Sequence, residues 1–429
     1  MSRAAGASGR AVLPHHTRAV LANGLTVIFG RNDANPTLAL YGVVKAGAIF
    51  DPAAKTGLAS FTASMLDRGT ASRTSLEQAE ALEDLGASLH FEGGAETVSI
   101  SCTALSEDLG TVLAVLADAL SAPAFASDQI EKARDEQIVR VRVHEEHTGI
   151  RASRAANQIL YPKGHPFHES PIGTEESLRS VTRDDLVAFH ARHYGPNTTV
   201  LALVGDVEQE KALQTIEAAF GAWGPLASPP AFEVPRSKPL ARITQKAIPM
   251  KGKSQVDVVY AVPGVARTDP GYYGVMLMNY ILGGGSLSSR LMDNLRDRQG
   301  LVYGVYSNLS AGIGAGPIQI HGGTNPANAE RTAEGILTEV RGMLAKGPTR
   351  SELDEAKSYL TGVFPVRLET NGGVANQLLG AELYGLGMDY IERYPSILEG
   401  VTLEDVRAAA GQYLSLDAYA LVTAGTHAG

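Results

Sequence analysis

The sequence predicts an α+β fold of two similar halves, each with a mainly antiparallel sheet packed against helices. Segments with alternating apolar and polar residues, typical of half-buried strands, interleave with longer helical segments along the chain. Residues 180–207 and 400–427 resemble each other, which indicates a duplication. A proline-rich segment lies between these copies, so we expect one half on either side of it.

The first half begins with strand-like segments. Alternation favours strands over residues 24–30, over residues 37–47 and within residues 87–105, whereas helical patterns cover residues 76–86 and 107–120. Cys102 lies in one of the strand segments. Because it is the only cysteine of the chain, it excludes an internal disulfide, and we predict a core thiol and not a nucleophile.

The duplicated segments each predict a capped helix followed by a buried strand. Thr182 and Thr402 are N-cap candidates, and Asp185 and Asp405 follow three residues later in a capping-box position. Apolar runs come next in both copies and fit buried strands. The two halves are therefore expected to fold alike.

The segment between the copies is rich in proline. Residues 224–240 contain five prolines, too many for a helix or a central strand, and indicate a stiff linker. We therefore predict an N-terminal half at residues 1–225, a Pro-rich linker at 226–240 and a C-terminal half at 241–429.

Composition excludes several functional classes. The formal net charge of −9, from 37 Lys and Arg against 46 Asp and Glu, argues against nucleic acid or an anionic membrane as the main partner. No apolar run is long enough for a membrane span. The first 17 residues lack the apolar core of a secretory signal, so we predict a cytoplasmic protein, or a periplasmic one if a leader has been removed.

The segment GLASFTASMLDRGT, residues 57–70, carries the strongest functional signal. It resembles the HxxEH helix of the inverted zinc metallopeptidases, the pitrilysin and insulin-degrading-enzyme family. In that alignment the two zinc histidines fall at Ser60 and Ser64, and the general-base glutamate falls at Ala63. The frame around these positions is kept by Gly57, Ala59, Phe61, Met65, Leu66, Gly69 and Thr70.

The zinc chemistry of that helix is lost in this chain. Two His four residues apart share one helix face and can chelate an ion, but Ser60 and Ser64 cannot bind zinc in this way. The resemblance puts the third ligand, a Glu in the family, at Arg140 or a neighbouring valine of residues 137–148. No two His in the chain are four apart. We therefore predict no metal and no cofactor in this chain.

Two pairs of His do have a spacing of three residues, which can support a metal on a helix. They are His144 with His147, and His190 with His193. Because no convergent third ligand accompanies either pair, we interpret the first as a solvated helix end and the second as part of a polar helix face.

The second half keeps a segment that the family uses to bind substrate. Residues 288–307 resemble a family segment with an Arg and a Tyr seven residues apart, which fall here on Arg296 and Tyr303. A guanidinium can clamp a substrate carbonyl, and a phenol can donate to the oxygen that becomes negative during hydrolysis. From spacing alone, a solvated helix Arg and a core aromatic at a strand end explain the pair better than a shared function does; the segment match reverses this and favours the functional interpretation.

The likeness extends along essentially the whole chain and implies a fold and a function. The two halves are expected to face each other like a clamshell around a peptide chamber. The chain is predicted to be the noncatalytic, substrate-binding subunit of a bacterial heterodimeric zinc metallopeptidase, supplying Arg296 and Tyr303 to a zinc-bearing HxxEH paralogue. The alternatives are a structural scaffold resembling silent processing-peptidase homologues, and an autonomous peptide-binding protein.

Overall fold

Two sheets covered by helices form the architecture of residues 15–426, which the computed structural model describes. Residues 1–14, on which most of the localisation prediction depends, lie outside this range. The strands are β1 His16–Val20, β2 Thr26–Arg31, β3 Thr37–Val44, β4 Ser88–Gly93, β5 Val98–Leu105, β6 Thr199–Gly205, β7 Thr244–Pro249, β8 Val256–Pro263, β9 Val302–Ala311, β10 Ala315–Thr324 and β11 Ala420–Gly425.

In both halves, the α-helices are interspersed with the strands along the chain. They are α1 Leu58–Ala63, α2 Ser75–Glu83, α3 Leu109–Ser121, α4 Ser127–Glu146, α5 Thr148–Leu160, α6 Glu175–Ser180, α7 Arg183–His193, α8 Gln209–Phe220, α9 Tyr272–Asn279, α10 Ala329–Lys346, α11 Arg350–Arg367, α12 Asn371–Leu383, α13 Tyr390–Gly400 and α14 Leu403–Tyr413. Two π-helical segments, Tyr280–Gly284 and Met292–Arg298, lie between α9 and β9. Among residues 15–426, no helix combines the length and apolar character that crossing a membrane requires.

Each sheet is mixed but mainly antiparallel, as predicted. The first has the order β1-β2-β6-β3-β5-β4, in which only β2 and β6 run parallel; the second has the order β7-β11-β8-β10-β9, in which only β11 and β7 run parallel. Each sheet takes its strands from one side of residues 226–240. The edge strands β4 and β9 belong to different halves.

The duplicated segments fold alike, and the capping prediction is confirmed. The backbone N–H of Thr182 donates to the Asp185 carboxylate at 2.8 Å, and that of Thr402 donates to Asp405 at 2.7 Å. Helices α7 and α14 therefore begin with the same capping box. The prediction for Cys102 is also confirmed: the thiol is fully buried in β5, and burial raises its pKa to about 12.

The halves exchange helices. Helix α5, from the first half, packs on β8, β10 and β11 of the second sheet, and α12, from the second half, packs on β2, β3 and β6 of the first. Small side chains make the first contact close, since Ala152, Ala155 and Ala156 of α5 are buried with Val259 and Ala261 of β8. Each sheet thus needs a helix from the other half to cover one of its apolar faces.

The linker is held along the first half. Residues 226–240 contain no helix or strand. The backbone of Leu226 makes two hydrogen bonds with the Asn197 side chain, and Ser237 Oγ donates to the carbonyl of Leu160 at 2.8 Å. The linker therefore runs along the surface of the first half before it enters the second.

Candidate functional site

The short helix α1, which carries the degenerate zinc positions, begins at a buried carboxylate. Gly57 adopts a left-handed conformation with φ 89° before the helix, a conformation that disfavours a side chain. Asp51 accepts hydrogen bonds from the backbone N–H groups of Gly57 at 2.6 Å and Ala59 at 2.8 Å. Burial raises the pKa of Asp51 to about 7, although these N–H groups favour the ionised form.

The positions predicted to have lost the zinc ligands and the general base are closely packed against neighbouring residues. Ser60 is 5% exposed and Ala63 is fully buried. Strand β4 passes over the helix at Gly93, where a Cβ atom would lie only 2.5 Å from the Cα of Ser60. Ser64 Oγ donates to the backbone carbonyl of Phe61 at 2.8 Å. These side chains offer a neutral, closely packed surface with no chelating group.

The third-ligand position offers no carboxylate either. In helix α4, the Arg140 side chain is exposed, whereas its neighbour Val141 is buried and lines the cavity described below. Val141 is therefore the better candidate for the position that faces the interior. The guanidinium of Arg134, from the same helix, lies 5.3 Å from the ring centre of Phe61 and so puts a cation beside α1.

Zinc therefore does not fit this site. Among residues 15–426, no three His, Cys, Asp or Glu side chains lie close enough together to hold a metal ion. His190 and His193 are packed against aromatic rings, and burial lowers the pKa of each to about 4. His193 is buried, and His190 is half-buried with Nε2 bonded to the carbonyl of Leu120 at 2.9 Å, so the pair does not form the predicted polar helix face.

A cavity of about 1180 Å³ lies between the halves. The first half contributes the end of α4, the start of α5, the tip of the β4–β5 hairpin and the loop before α6. The second half contributes β9, β10 and the start of β8. The volume suits a segment of peptide or another ligand of that size.

Tyr303 faces this cavity because of a β-bulge. Val302 pairs with Thr324 and Gly304 pairs with Gly323, so Tyr303 is an extra residue in strand β9. Its side chain is 66% exposed and lines the cavity. Its hydroxyl makes no hydrogen bond within residues 15–426, and it can therefore donate to a carbonyl oxygen of a bound peptide.

Arg296 lies outside the cavity lining. It sits in the π-helical segment before β9, is exposed, and has its Nη1 atom 3.9 Å from the sulfur of Met292. No carboxylate within the described part of the chain pairs with it. The fold thus directs Tyr303 inward and leaves Arg296 on the surface, and their shared role stays a prediction.

Glu96 connects the halves at the cavity. This residue, at the tip of the β4–β5 hairpin, accepts hydrogen bonds from the backbone N–H groups of Ile313 at 2.9 Å and Gly314 at 2.8 Å, in the β9–β10 loop. Burial raises the pKa of Glu96, and the two N–H groups oppose this shift. Sequence patterns gave no indication of this contact.

A polar patch on the second sheet was not predicted from the sequence either. Tyr306 stacks on His321 with ring centres 4.9 Å apart and an angle of 8°. Asp257 Oδ2 accepts hydrogen bonds from Thr148 Oγ1 at 2.5 Å and Gln255 Nε2 at 3.0 Å. The signal available in the sequence was the occurrence of polar residues at alternate positions in otherwise apolar strands, at Asp257 in β8 and His321 in β10.

Comparisons with known proteins agree on one family. Residues 26–161 match the model described as insulinase (peptidase family M16), and residues 180–360 match the peptidase M16 inactive domain. An uncharacterized zinc protease of Streptomyces coelicolor is 25% identical over 412 residues, covering 92% of this chain and 87% of that protein. The non-peptidase homolog YmxG of Helicobacter pylori is 25% identical over 385 residues, covering 89% and 87%.

The fold of a solved structure is also similar. The peptidase M16 inactive domain from Pseudomonas fluorescens superposes with a TM-score of 0.89 at 29% identity, covering 97% of this chain and 98% of that one.

Proposed function

Because this chain belongs to the M16 family of peptidases, we propose that it is a noncatalytic subunit that binds peptide and completes the active site of a zinc-bearing M16 paralogue. The peptide extends from the cavity between the halves into the active site of the paralogue. Tyr303 and Arg296 act in trans on the substrate held by the paralogue. The paralogue supplies the metal and its ligands.

The noncatalytic character rests on residue types at defined positions. Ser60, Ala63 and Ser64 hold no zinc ligand and no general base, and neither Arg140 nor Val141 replaces the third ligand. The names of relatives differ on this point, since one is called a zinc protease and another a non-peptidase homolog. The side chains of this chain favour the second description.

The main support for the substrate-binding role is the exposure of Tyr303. Its side chain is 66% exposed and its hydroxyl bonds no other group of residues 15–426, so both the ring and the hydroxyl are available to a ligand. Its bulge in β9 re-aims the side chain into the cavity, and bulges are common beside active sites. An exposed and unpaired Arg296 is likewise available to a second chain.

The test is reconstitution. The purified chain, an HxxEH-bearing paralogue from the same genome, and their mixture are examined by light scattering and by cleavage of a fluorogenic peptide library. We expect a heterodimer, and cleavage that requires both chains. A paralogue whose HxxEH glutamate is changed to Gln is the control and should still form the heterodimer without cleaving.

Other outcomes separate the alternatives. Heterodimer formation with full activity of the paralogue alone would support the scaffold interpretation. Peptide binding by this chain without association would support an autonomous binding protein. Cleavage by this chain alone would contradict the proposal.

A further inference from the structure

The cavity floor is a row of residues across three strands of the second sheet. Asp257 of β8 is paired with Gly323 of β10, which is paired in turn with Gly304 of β9. Residues paired in this way point to the same face of a sheet. Two residues further along, on the same face, His321 is paired with Tyr306. The row thus begins with the carboxylate of Asp257 and continues across the two glycines. The stacked rings of Tyr306 and His321 lie next to it on the same face.

The floor is open at its outer end. Apart from its two chain neighbours, no residue of 15–426 places a heavy atom within 4 Å of a Cβ atom added to Gly304, and Tyr303 precedes it in the bulge. At Gly323 the nearest atom to such a Cβ is the Nε2 of Gln255, at 2.6 Å, so the amide of Gln255 covers that position next to Asp257. Adjacent strands lie about 4.8 Å apart, so the slot from Gly304 to Asp257 is about 10 Å long.

Asp257 has a free oxygen at the closed end of this slot. Its side chain is 7% exposed, and both of its side-chain hydrogen bonds, from Thr148 and Gln255, go to Oδ2. Within residues 15–426, Oδ1 accepts no hydrogen bond and no Lys, Arg or His forms an ion pair with the carboxylate. The carboxylate is thus bonded to two neutral groups, the hydroxyl of Thr148 and the amide of Gln255, and can still attract a cation.

No charged side chain of the cavity lining within residues 15–426 forms an ion pair with Asp257. Arg154 is paired with Glu145, and both oxygens of Glu96 are bonded to backbone N–H groups. Burial lowers the pKa of His321 to about 4, although the charge of Asp257 opposes this, so the imidazole is neutral at pH 7. The aromatic faces of Tyr306 and His321 are also surfaces on which a cation or its aliphatic stem can lie.

We propose that this slot, formed by Asp257, Gly304, Tyr306 and His321, binds a lysine or arginine side chain of the peptide. The inference rests on the proposed peptide-binding function and adds a substrate class to it. The stem of the basic side chain enters over Gly304, lies along Tyr306 and His321, and brings its charged group to Oδ1 of Asp257. A long, unbranched stem can pass over Gly304 and the amide of Gln255 to reach the carboxylate of Asp257.

Peptide binding to the full chain tests the proposal. The probes are fluorescein-labelled peptides of alanine and serine that differ at one central residue, which is lysine, arginine, norleucine or glutamate. By fluorescence anisotropy, we expect the lysine and arginine peptides to bind about tenfold or more tighter than the norleucine peptide. The glutamate peptide should bind most weakly.

Three variants identify the site. Asp257→Asn should remove the preference for the basic peptides and leave the affinity for norleucine unchanged. Gly304→Leu should weaken binding of the basic peptides by filling the slot, and the Cβ atom of the new side chain meets nothing in residues 15–426 beyond its chain neighbours; circular dichroism verifies that the variant is folded. Glu169→Gln, which removes another carboxylate from the cavity lining, is the matched control and should keep the preference.

The outcomes distinguish the two proposals. Equal binding of all four peptides by the wild-type chain, or a preference that survives Asp257→Asn and Gly304→Leu, would overturn the basic-residue slot while leaving peptide binding in place. Binding of none of the four would overturn peptide binding in the cavity and the slot with it.

Discussion

The carboxylate of Glu96 lies 2.8 Å from the backbone nitrogen of Gly314 and ties the β4–β5 hairpin of the first half to the β9–β10 loop of the second. It also accepts the N–H of Ile313, so both of its oxygens serve the contact between the halves. These are charge-assisted bonds in a partly buried position, which are stronger than bonds between neutral groups.

Loss of this contact should loosen the β9–β10 loop. In Glu96→Ala the two N–H groups lose their acceptor, at a cost of about 1.5–3 kcal/mol. We expect hydrogen exchange in residues 310–316 to accelerate about tenfold or more, measured by mass spectrometry. Glu92→Ala removes an exposed carboxylate from the same hairpin and should not change that exchange. Equal exchange in Glu96→Ala and wild type would mean that the loop is held by other contacts.

Tyr303→Phe should lower the kcat of the reconstituted heterodimer. The hydroxyl is proposed to donate to the oxygen that becomes negative in the transition state, and loss of such a donor costs about 3 kcal/mol, or roughly a hundredfold in rate. Because the side chain is mostly exposed, assembly and thermal stability should stay unchanged. Steady-state kinetics on a heterodimer of verified stoichiometry measures the effect, and a wild-type kcat would favour the scaffold interpretation.

Arg296→Ala should raise KM at least as much as it lowers kcat. A guanidinium that clamps the substrate backbone acts in the ground state as well as in the transition state. The exposed Arg298, which is paired with Asp293, provides a matched control in Arg298→Ala. Equal kinetic constants for wild type and Arg296→Ala would show that Arg296 does not contact the substrate.

Restoring the zinc residues in α1 should not restore a zinc site. In Ser60→His/Ala63→Glu/Ser64→His the third carboxylate is still missing, so we expect weak zinc binding at most. The variant should also lose stability, by about 1–3 kcal/mol from overpacking alone, because Ala63 is fully buried. Elemental analysis and thermal unfolding with and without zinc measure both effects, with Ser60→Ala/Ser64→Ala as control. One tightly bound zinc per chain would contradict the prediction.

The stability of the chain should respond to pH through Asp51. Burial raises the pKa of this carboxyl to about 7 in the folded state, against an ordinary value of about 4 when unfolded. The folded state therefore binds the proton more tightly, and the resulting stabilisation is present below about pH 4 and is lost as the pH rises toward 7. Denaturant unfolding should show that wild type loses stability relative to Asp51→Asn between pH 5 and pH 8. The exposed Asp84→Asn should show no such trend, and parallel curves for wild type and Asp51→Asn would refute the assignment.

The sequence by itself determined the local features of this protein. The capping boxes at Thr182 and Thr402 depend on residues three apart, and the strands depend on alternation within a few residues, so both were predictable. The absence of zinc ligands at Ser60 and Ser64 was also predictable, because it depends only on the residue types at those positions.

The tertiary structure decided everything that joins distant parts of the chain. The spacing of Arg296 and Tyr303 was visible in the sequence, but only the structure shows that the bulge in β9 directs Tyr303 into the cavity, whereas Arg296, in the preceding π-helical segment, lies outside it. The contact of Glu96 with Gly314 and the pairing of Asp257 with Gly323 depend on how sheets and hairpins meet across many residues of chain. Such contacts follow from the packing of whole apolar faces, here completed by the exchange of α5 and α12, and no short stretch of sequence contains that information.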